Sequence, residues 1–282
     1  MILVFGASGQ VARELQRLIP DAVFLGRAEA DLAHPQACAA AIIGARPAVV
    51  INAAAYTAVD RAEEEEELAT TVNGHSPTAM AQSCAALRVP LVHISTDYVF
   101  DGSGAKPFNP AHATEPLGAY GRSKLVGELG VQAAGGIHAI LRTSWVFSAH
   151  GSNFVKKMLR LGAERDTLRV VADQIGGPTP ARAIAQVCLR MAQGLQEDAA
   201  MSGTYHFSGA PTTSWAGFAR AIMTEAGLAC KIEDIPSSAY PTPAQRPYNS
   251  RLDCSSLSQL GLSQPDWQEA LAAVIRELKG EA

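Results

Sequence analysis

The 282-residue sequence lacks the features of a secreted, membrane-bound or nucleic-acid-binding protein. Its five cysteines are widely spaced, odd in number and form no CxxC pair, which argues against a disulfide framework and a zinc site. No apolar run is long enough for a membrane span, and the apolar start is too short for a signal peptide. A net charge of −4 argues against a general nucleic-acid or membrane-surface binder. These absences predict a cytoplasmic protein with reduced thiols and no nucleic-acid or membrane partner.

Patterns of metal ligands are also missing. The seven histidines form no HxH or HExxH arrangement, so we expect no catalytic metal. The run of five glutamates at 63–67 predicts the solvated first turn of a helix rather than a metal site.

What the sequence does contain is an alternation of short apolar runs and longer helical patterns. Strands are predicted at 2–5, 22–25, 48–52, 91–95 and 139–143. Helices are predicted between them, at 9–18, 35–43, 60–72, 76–87 and 120–134. Such a series predicts the α/β class, with a Rossmann-like doubly wound parallel sheet covered on both faces by helices.

The second half is less regular. Helices are predicted at 153–162, 181–193, 214–226 and 268–279, with a strand at 203–207. The stretch 236–247 holds four prolines and is predicted to be a substrate-contacting loop. We predict a dinucleotide-binding domain formed by 1–148 and 178–208, and a smaller α/β substrate-binding domain formed by 149–177 and 209–282. The active site would lie in the cleft between them.

A glycine-rich loop follows the first predicted strand and opens a helix. Gly6 and Gly9 allow a tight turn close to a pyrophosphate, and the N–H groups at the helix start face the anion. Ser8, Gln10 and Val11 complete the loop. At this strand–helix junction the pattern favours dinucleotide binding over a simple tight turn.

The end of the second predicted strand carries information on the adenine ribose. An acid there would bind the 2′-hydroxyl of NAD, whereas an arginine accommodates the 2′-phosphate of NADP. The strand ends in FLGR (24–27), without an acid, which favours NADPH, with NADH as the second option. Arg27 would face the phosphate, although a solvated surface arginine explains this residue equally well. Asp31 and Leu32 would flank the adenine.

The segment YGRSK (120–124) places Tyr120 and Lys124 on one face of a predicted helix. A neighbouring ammonium stabilises a phenolate and lowers the pKa of the phenol towards neutrality, as proton transfer requires. Thr96 follows the fourth strand, at the carboxyl edge of the sheet where ligands bind. Hydroxyl, phenol and ammonium together can polarise a carbonyl and protonate it as a hydride arrives. YxxxK alone also occurs as a surface helix pair, but its position here favours a reductase site.

Small residues follow the third predicted strand. Ala53, Ala54 and Ala55 would let the cofactor backbone approach, and Thr57 could hydrogen-bond to it. A helix-capping threonine after a buried strand accounts for Thr57 equally well.

At these residues the chain resembles the extended short-chain dehydrogenase/reductase family, and the similarity covers nearly the whole sequence. The matching segments are GASGQVA (6–12), NAAAYTAVDRAE (52–63), STDYVFDG (95–102), PLGAYGRSK (116–124), RTSWVF (142–147), DQIGGPT (173–179) and YPTPAQRPYNSRLD (240–253). The last three are the most specific, because generic short-chain dehydrogenases lack them.

The resemblance implies hydride transfer from NADPH or NADH to C4 of dTDP-4-dehydro-L-rhamnose, giving dTDP-L-rhamnose. Carried over by motif, Tyr120 is the general acid, Lys124 tunes it and holds the nicotinamide ribose, and Thr96 hydrogen-bonds the C4 oxygen. The residues implied at the sugar pocket are Asp97, Tyr98 and Trp145. Arg246 is the candidate for the substrate diphosphate, since a guanidinium suits phosphate oxygens; an arginine that ties down the proline-rich loop is the alternative.

Other functions on this fold stay open at this point. A nucleotide-sugar dehydratase or epimerase is one, although a dehydratase usually carries Glu where Tyr98 stands. A non-catalytic regulatory subunit is another, since fold alone does not establish activity. The expected partners are a nucleotide-sugar substrate and, as one option, a second copy of the chain in a homodimer.

Overall fold

The computed structural model describes residues 1–281 and alternates strands with helices along the first half of the chain. The strands are β1 (Ile2–Phe5), β2 (Val23–Leu25), β3 (Val49–Asn52), β4 (Leu91–Thr96), β5 (His138–Thr143), β6 (Val146–Phe147), β7 (Thr167–Val171), β8 (Ile175–Gly176), β9 (Thr179–Pro180), β10 (Gly203–Phe207), β11 (Thr213–Ser214), β12 (Lys231–Ile235) and β13 (Asn249–Ser250). The helices are α1 (Gln10–Leu18), α2 (Pro35–Ala45), α3 (Glu66–Thr70), α4 (Ser76–Leu87), α5 (Ala119–Ala133), α6 (Phe154–Glu164), α7 (Ala181–Glu197), α8 (Trp215–Ala226) and α9 (Trp267–Lys279).

A six-stranded parallel sheet forms the centre of the first half, in the order β2-β1-β3-β4-β5-β10. The order reverses between β1 and β3, which leaves a crevice at the carboxyl ends of these strands. Every residue of β3 is buried, as expected of a strand covered on both faces. The predicted Rossmann-like α/β class is confirmed.

Helices cover both faces of this sheet. Apolar residues of α1 and α7, such as Leu15 and Ile184, pack into the core on one face. Residues of α2, α4 and α5, such as Ile42, Met80 and Val131, form the core on the other face. All five cysteines are buried and free, as the sequence predicted. No helix within residues 1–281 is both long and apolar enough to span a bilayer.

One predicted helix is wrong in detail. The chain over 60–72 divides into a 3₁₀ turn at Arg61–Glu63, the short helix α3 and a π-helical turn at Thr71–His75. Neighbouring glutamates repel one another along a continuous helix. In the structure Glu63 instead accepts a hydrogen bond from the backbone of Ala119, and Glu66 pairs with Arg122.

The second half contains a core of its own. Phe147, Phe218 and Trp267 are buried there with apolar residues of α6, α8 and α9. Two strands missed by the sequence analysis, β7 and β12, pair in parallel beside this core. The segment 236–247 is irregular apart from a 3₁₀ turn at Ser237–Ala239, as predicted. Leu257, which was assigned to the substrate-binding domain, packs in the same core as Leu15 and Ile184. The predicted domain division stays a prediction.

Candidate active site

One cavity of about 750 Å³ opens at the carboxyl ends of β1, β3 and β4. Its walls contain every predicted site residue except Arg246: Gly6, Ser8, Gly9, Gln10, Val11, Arg27, Asp31, Leu32, Ala53, Ala54, Ala55, Thr57, Thr96, Asp97, Tyr98, Tyr120, Lys124 and Trp145. The topology therefore brings together residues that are up to 139 positions apart, from Gly6 to Trp145. The roles of these residues stay predictions.

The glycine loop has the geometry of a phosphate cradle. Gly6 has a φ of +108°, and a Cβ there would lie 3.3 Å from the backbone of Ala53. Only glycine allows this close approach of the loop to the end of β3. Gly9 precedes α1 without a side-chain cap, so the first N–H groups of that helix are free to bind an anion. The cradle fits the pyrophosphate of a dinucleotide.

The side chain of Gln10 does not point into this cradle. Its Nε2 donates to the carbonyl of Val146, and its Oε1 accepts hydrogen bonds from Ser148 and Asn153 at 2.9 and 3.0 Å. Gln10 thus joins the glycine loop to the start of α6, and only its remaining atoms can contribute to the predicted cofactor site. Gly151, Ser152 and Asn153 also line the cavity, which the sequence analysis did not predict.

Thr96 ends β4 and is buried. Its hydroxyl donates to Oδ1 of Asp97 at 3.0 Å and accepts a hydrogen bond from the backbone of Tyr98 at 3.2 Å. Tyr120 lines the same cavity. Thr96 therefore places a hydroxyl in the wall that also contains the proton donor predicted on α5.

Tyr120 lies at the start of α5, with its ring edge-on to Tyr98 and the ring centroids 5.5 Å apart. Burial, followed by the negative charge of Asp97, raises the pKa of Tyr120 to about 12, while the Thr96 hydroxyl lowers it. We expected Lys124 to lower this pKa, and the structure shows the opposite net shift. A raised pKa keeps the phenol protonated, which is the form a proton donor needs.

Lys124 is buried one turn further along α5. Its Nζ donates to the carbonyl of Ile94 at 2.7 Å, on β4. Burial lowers the pKa of Lys124 to about 8, and the charge of Glu128 opposes this shift. The amine is therefore mainly protonated at neutral pH and is fixed beside the end of β4.

A neutral histidine lies behind this lysine. Nε2 of His93 is 3.5 Å from Nζ of Lys124, and burial, followed by the lysine charge, holds the pKa of His93 well below its usual range. Oδ1 of Asn52 accepts from the backbone of Ala54 at 3.2 Å, which turns Nδ2 of Asn52 towards His93. Nδ1 of His93 is therefore the acceptor, 3.1 Å away.

The glutamate run anchors the helix that carries Tyr120 and Lys124. Oε1 of Glu63 accepts from the backbone N of Ala119 at 2.9 Å, at the first turn of α5. An acid at this position also interacts favourably with the helix dipole. The sequence analysis assigned this run to a solvated surface. The pattern was visible, but its partner lies 56 residues away.

Trp145 is held in a strained backbone conformation. Its φ is +46°, a region that bulky residues rarely adopt, and its indole stacks on that of Trp215 with the ring centroids 3.6 Å apart. A Cβ on Gly176 would lie 2.8 Å from the Trp145 ring. The packing therefore fixes the indole in the cavity wall. Trp215 is half-buried behind it.

Asp97 and Tyr98 complete this end of the cavity. Burial raises the pKa of Asp97 to about 6, and the hydroxyl of Thr96, which donates to Oδ1, opposes this shift. Burial raises the pKa of Tyr98 well above its usual value, and Arg246 acts in the opposite direction. Both groups are thus polar side chains in a wall that is largely shielded from water.

Arg246 lies outside the cavity wall. Its Nη2 is 2.7 Å from Oδ2 of Asp60, and the backbone of Ala244 donates to the same carboxylate. This ion pair fastens the proline-rich loop, as the structural alternative predicted. Within residues 1–281, Nη1 of Arg246 is buried and has no hydrogen-bond partner, so one edge of the guanidinium has no acceptor in the protein.

Comparison with known proteins identifies the family. The family described as RmlD substrate binding domain matches residues 1–279. A dTDP-4-dehydrorhamnose reductase of Burkholderia thailandensis is 45% identical, and the alignment covers 98% of each chain. The chain belongs to the dTDP-4-dehydrorhamnose reductase family.

Solved structures of dTDP-4-dehydrorhamnose reductases have the same fold. The one from Clostridium acetobutylicum has a TM-score of 0.92 and 34% identity over 99% of each chain. The one from Bacillus anthracis, solved in complex with NADP, has a TM-score of 0.91 and 33% identity over 98% of each chain. The match over nearly the whole length includes both the glycine loop and the second half of the chain.

Proposed function

We propose that this protein reduces the C4 keto group of dTDP-4-dehydro-L-rhamnose to dTDP-L-rhamnose with NADPH or NADH. The observation that carries the proposal is the meeting of Thr96, Tyr120 and Lys124 in the cavity that also contains the glycine cradle. Hydroxyl, phenol and ammonium are the groups needed to polarise and protonate a carbonyl.

The proton comes from Tyr120. The glycine cradle would hold a reduced nicotinamide cofactor, which would supply the hydride. Tyr120 donates its phenolic proton to the C4 oxygen, and the Thr96 hydroxyl, which lines the same cavity, can donate a hydrogen bond to that oxygen as its charge develops. Since the pKa of Tyr120 is raised to about 12, the phenol is fully protonated at neutral pH before each turnover.

Lys124 acts as a fixed cation. Its Nζ is held by the carbonyl of Ile94, in the wall of the cavity that also contains Tyr120 one helical turn earlier on α5. This charge stabilises the phenolate that proton donation leaves on Tyr120. Lys124 is also the residue predicted to hold the nicotinamide ribose.

The sugar and its diphosphate would lie towards the second half of the chain. The rigid indole of Trp145 provides an apolar wall, and Asp97 and Tyr98 provide polar groups for sugar hydroxyls. The free edge of Arg246 is assigned to the diphosphate, since Nη1 is buried without a partner within residues 1–281. The Asp60 pair would orient this guanidinium.

A coupled assay with enzymatically prepared dTDP-4-dehydro-L-rhamnose tests the proposal. We expect a steady loss of the nicotinamide absorbance at ~340 nm with both NADPH and NADH, and dTDP-L-rhamnose as the product by NMR. An epimerase would retain its nicotinamide and give no net oxidation, and a regulatory subunit would give no turnover. Either result would reject the proposal.

A cytoplasmic location and a homodimer stay predictions from the sequence. Size-exclusion chromatography with light scattering measures the second directly. A mass of 29.6 kDa would indicate a monomer, and twice that mass a homodimer.

A further inference from the structure

An acidic side chain folds back onto the end of β2. Gly26 is the first residue after this strand, and its backbone N donates to Oε2 of Glu29 at 2.9 Å. The sequence reading found no acid at the strand end because Glu29 comes three residues later. The turn over 26–29 places the carboxylate there nevertheless.

The carboxylate of Glu29 lies directly beside the position that a side chain on residue 26 would take. A Cβ built on Gly26 would lie 3.1 Å from Oε2 of Glu29 and 3.6 Å from Cβ of Ala7, in the glycine loop. Gly26 and the carboxylate beside it therefore lie next to the glycine loop. In Rossmann folds an acid at the end of this strand accepts hydrogen bonds from the adenine ribose hydroxyls.

A positive charge stands next to this acid. Arg27 is exposed and lines the cavity, as does Gly26. Neither Arg27 nor Glu29 has an ion-pair partner within 4 Å among residues 1–281. Arg27 thus lines the cavity itself, and the exposed carboxylate of Glu29 lies at its rim, hydrogen-bonded to the lining residue Gly26.

We propose that Glu29 is a specificity-determining residue for the nicotinamide cofactor, which rests on the function proposed above. Its carboxylate accepts the ribose 2′-hydroxyl of NADH and repels the 2′-phosphate of NADPH, whereas Arg27 attracts that phosphate. The two residues oppose each other, so the protein binds both cofactors and has a weaker NADPH preference than Arg27 alone would give.

Direct binding measurements test this inference. The dissociation constants of NADH and NADPH are measured by quenching of the intrinsic tryptophan fluorescence, with isothermal calorimetry as the second readout. Glu29→Gln removes the charge and keeps the side-chain volume. We expect NADPH to bind about three- to tenfold more tightly and NADH about threefold more weakly, as for one partly screened charge.

Two further variants and a pair of cofactor fragments make the test specific. Arg27→Gln should weaken NADPH by a similar factor and leave NADH nearly unchanged. Glu225→Gln changes the net charge equally at an exposed position on α8 and should change neither constant. Competition by 2′,5′-ADP and by 5′-AMP should follow NADPH and NADH, respectively.

The possible outcomes distinguish failure of the Glu29 proposal from failure of the proposed reductase function. If both cofactors bind and their ratio is the same in Glu29→Gln as in the wild type, Glu29 does not determine specificity, and the reductase function is unaffected. If neither cofactor binds to the wild-type protein, the proposed function itself is rejected.

Discussion

The two ends of the cavity are built from different kinds of side chain. At the catalytic end, Thr96 and Lys124 are buried, and each is hydrogen-bonded to a neighbouring strand or helix. At the adenine end, Arg27 and Glu29 are exposed on a turn and have no ion-pair partner within residues 1–281. The proposed chemistry is therefore fixed by folding, whereas the choice of cofactor depends on surface charges.

This difference has an energetic consequence. A buried polar group that loses its partner costs its full desolvation, whereas an exposed charge is screened by water. Substitutions at the catalytic end should therefore abolish turnover or destabilise the fold. Substitutions at the adenine end should change affinity by a few fold and leave the fold unchanged.

The largest expected effect is that of Tyr120→Phe. This change removes the proposed proton donor and keeps the ring that packs edge-on against Tyr98. We expect kcat to fall by roughly 10²- to 10⁴-fold, the usual contribution of a general acid, with cofactor affinity retained. Steady-state kinetics and cofactor titration measure both quantities. Tyr205→Phe, on the edge strand β10 and outside the residues that line the cavity, should keep full activity.

Retention of near-normal turnover in Tyr120→Phe would contradict the proposed mechanism. It would also remove the main reason for treating the two ends of the cavity as different.

The second largest effect is a loss of folding stability, expected at a buried ion pair near the catalytic end of the cavity. Arg142 and Glu128 form a buried ion pair of 2.6 Å on β5 and α5, and Ser95 also donates to Glu128. Glu128→Ala leaves the guanidinium buried without its charge partner, so we expect the free energy of unfolding to fall by about 3–5 kcal/mol. Urea denaturation measures this change.

The exposed pair of Arg122 and Glu66 is the matched control. Glu66→Ala should cost at most about 1 kcal/mol, because a surface ion pair contributes little. Equal losses in the two variants would show that burial does not distinguish these regions.

The sequence predicted backbone placement better than side-chain partners. The helix predicted at 76–87 has the same bounds in α4. Its sequence pattern is local, and the helix packs against α2 and α5. The strands β7 and β12 were missed because each has only five residues, several of them exposed, and because the two strands pair across 64 positions of the chain. Their pairing depends on the tertiary fold.

Within the site, too, contacts between residues distant in sequence were not predicted. The glycine loop, Thr96, Tyr120 and Lys124 were predicted because each motif is contiguous and the sheet order brings them together. The contacts of Gln10 with Ser148 and of Glu63 with Ala119 span 138 and 56 residues. No local pattern carries such contacts, and the return of Glu29 to Gly26 depends on the conformation of a turn.

A third prediction concerns the pH dependence of catalysis. The pKa of Lys124 is lowered to about 8, so this cation is lost as the pH rises above that value, while Tyr120 stays protonated. We expect kcat/KM to fall about tenfold per pH unit above pH 8. His93 contacts this amine, and the charge of Glu128 raises the pKa of Lys124. Glu128→Gln should therefore move the alkaline limb to lower pH.

An alkaline limb that begins only near the ordinary pKa of lysine would contradict the buried setting of Lys124. Cofactor affinity, which we propose depends on Arg27 and Glu29 at the adenine end, should show no corresponding change between the wild type and Glu128→Gln.

The smallest of these effects is expected at Arg246. Its burial is intermediate between that of the catalytic residues and that of the exposed charges at the adenine end. It is half-buried and paired with Asp60, yet Nη1 has no partner within residues 1–281. If this edge binds the diphosphate, Arg246→Ala should raise KM for the nucleotide sugar about tenfold, a loss of roughly 1.4 kcal/mol, with kcat nearly unchanged. Asp60→Asn removes the ion pair and keeps the guanidinium, so it should change KM much less. An equal rise of KM in both variants would assign Arg246 to anchoring the proline-rich loop, because both changes weaken that contact and only one removes the phosphate ligand.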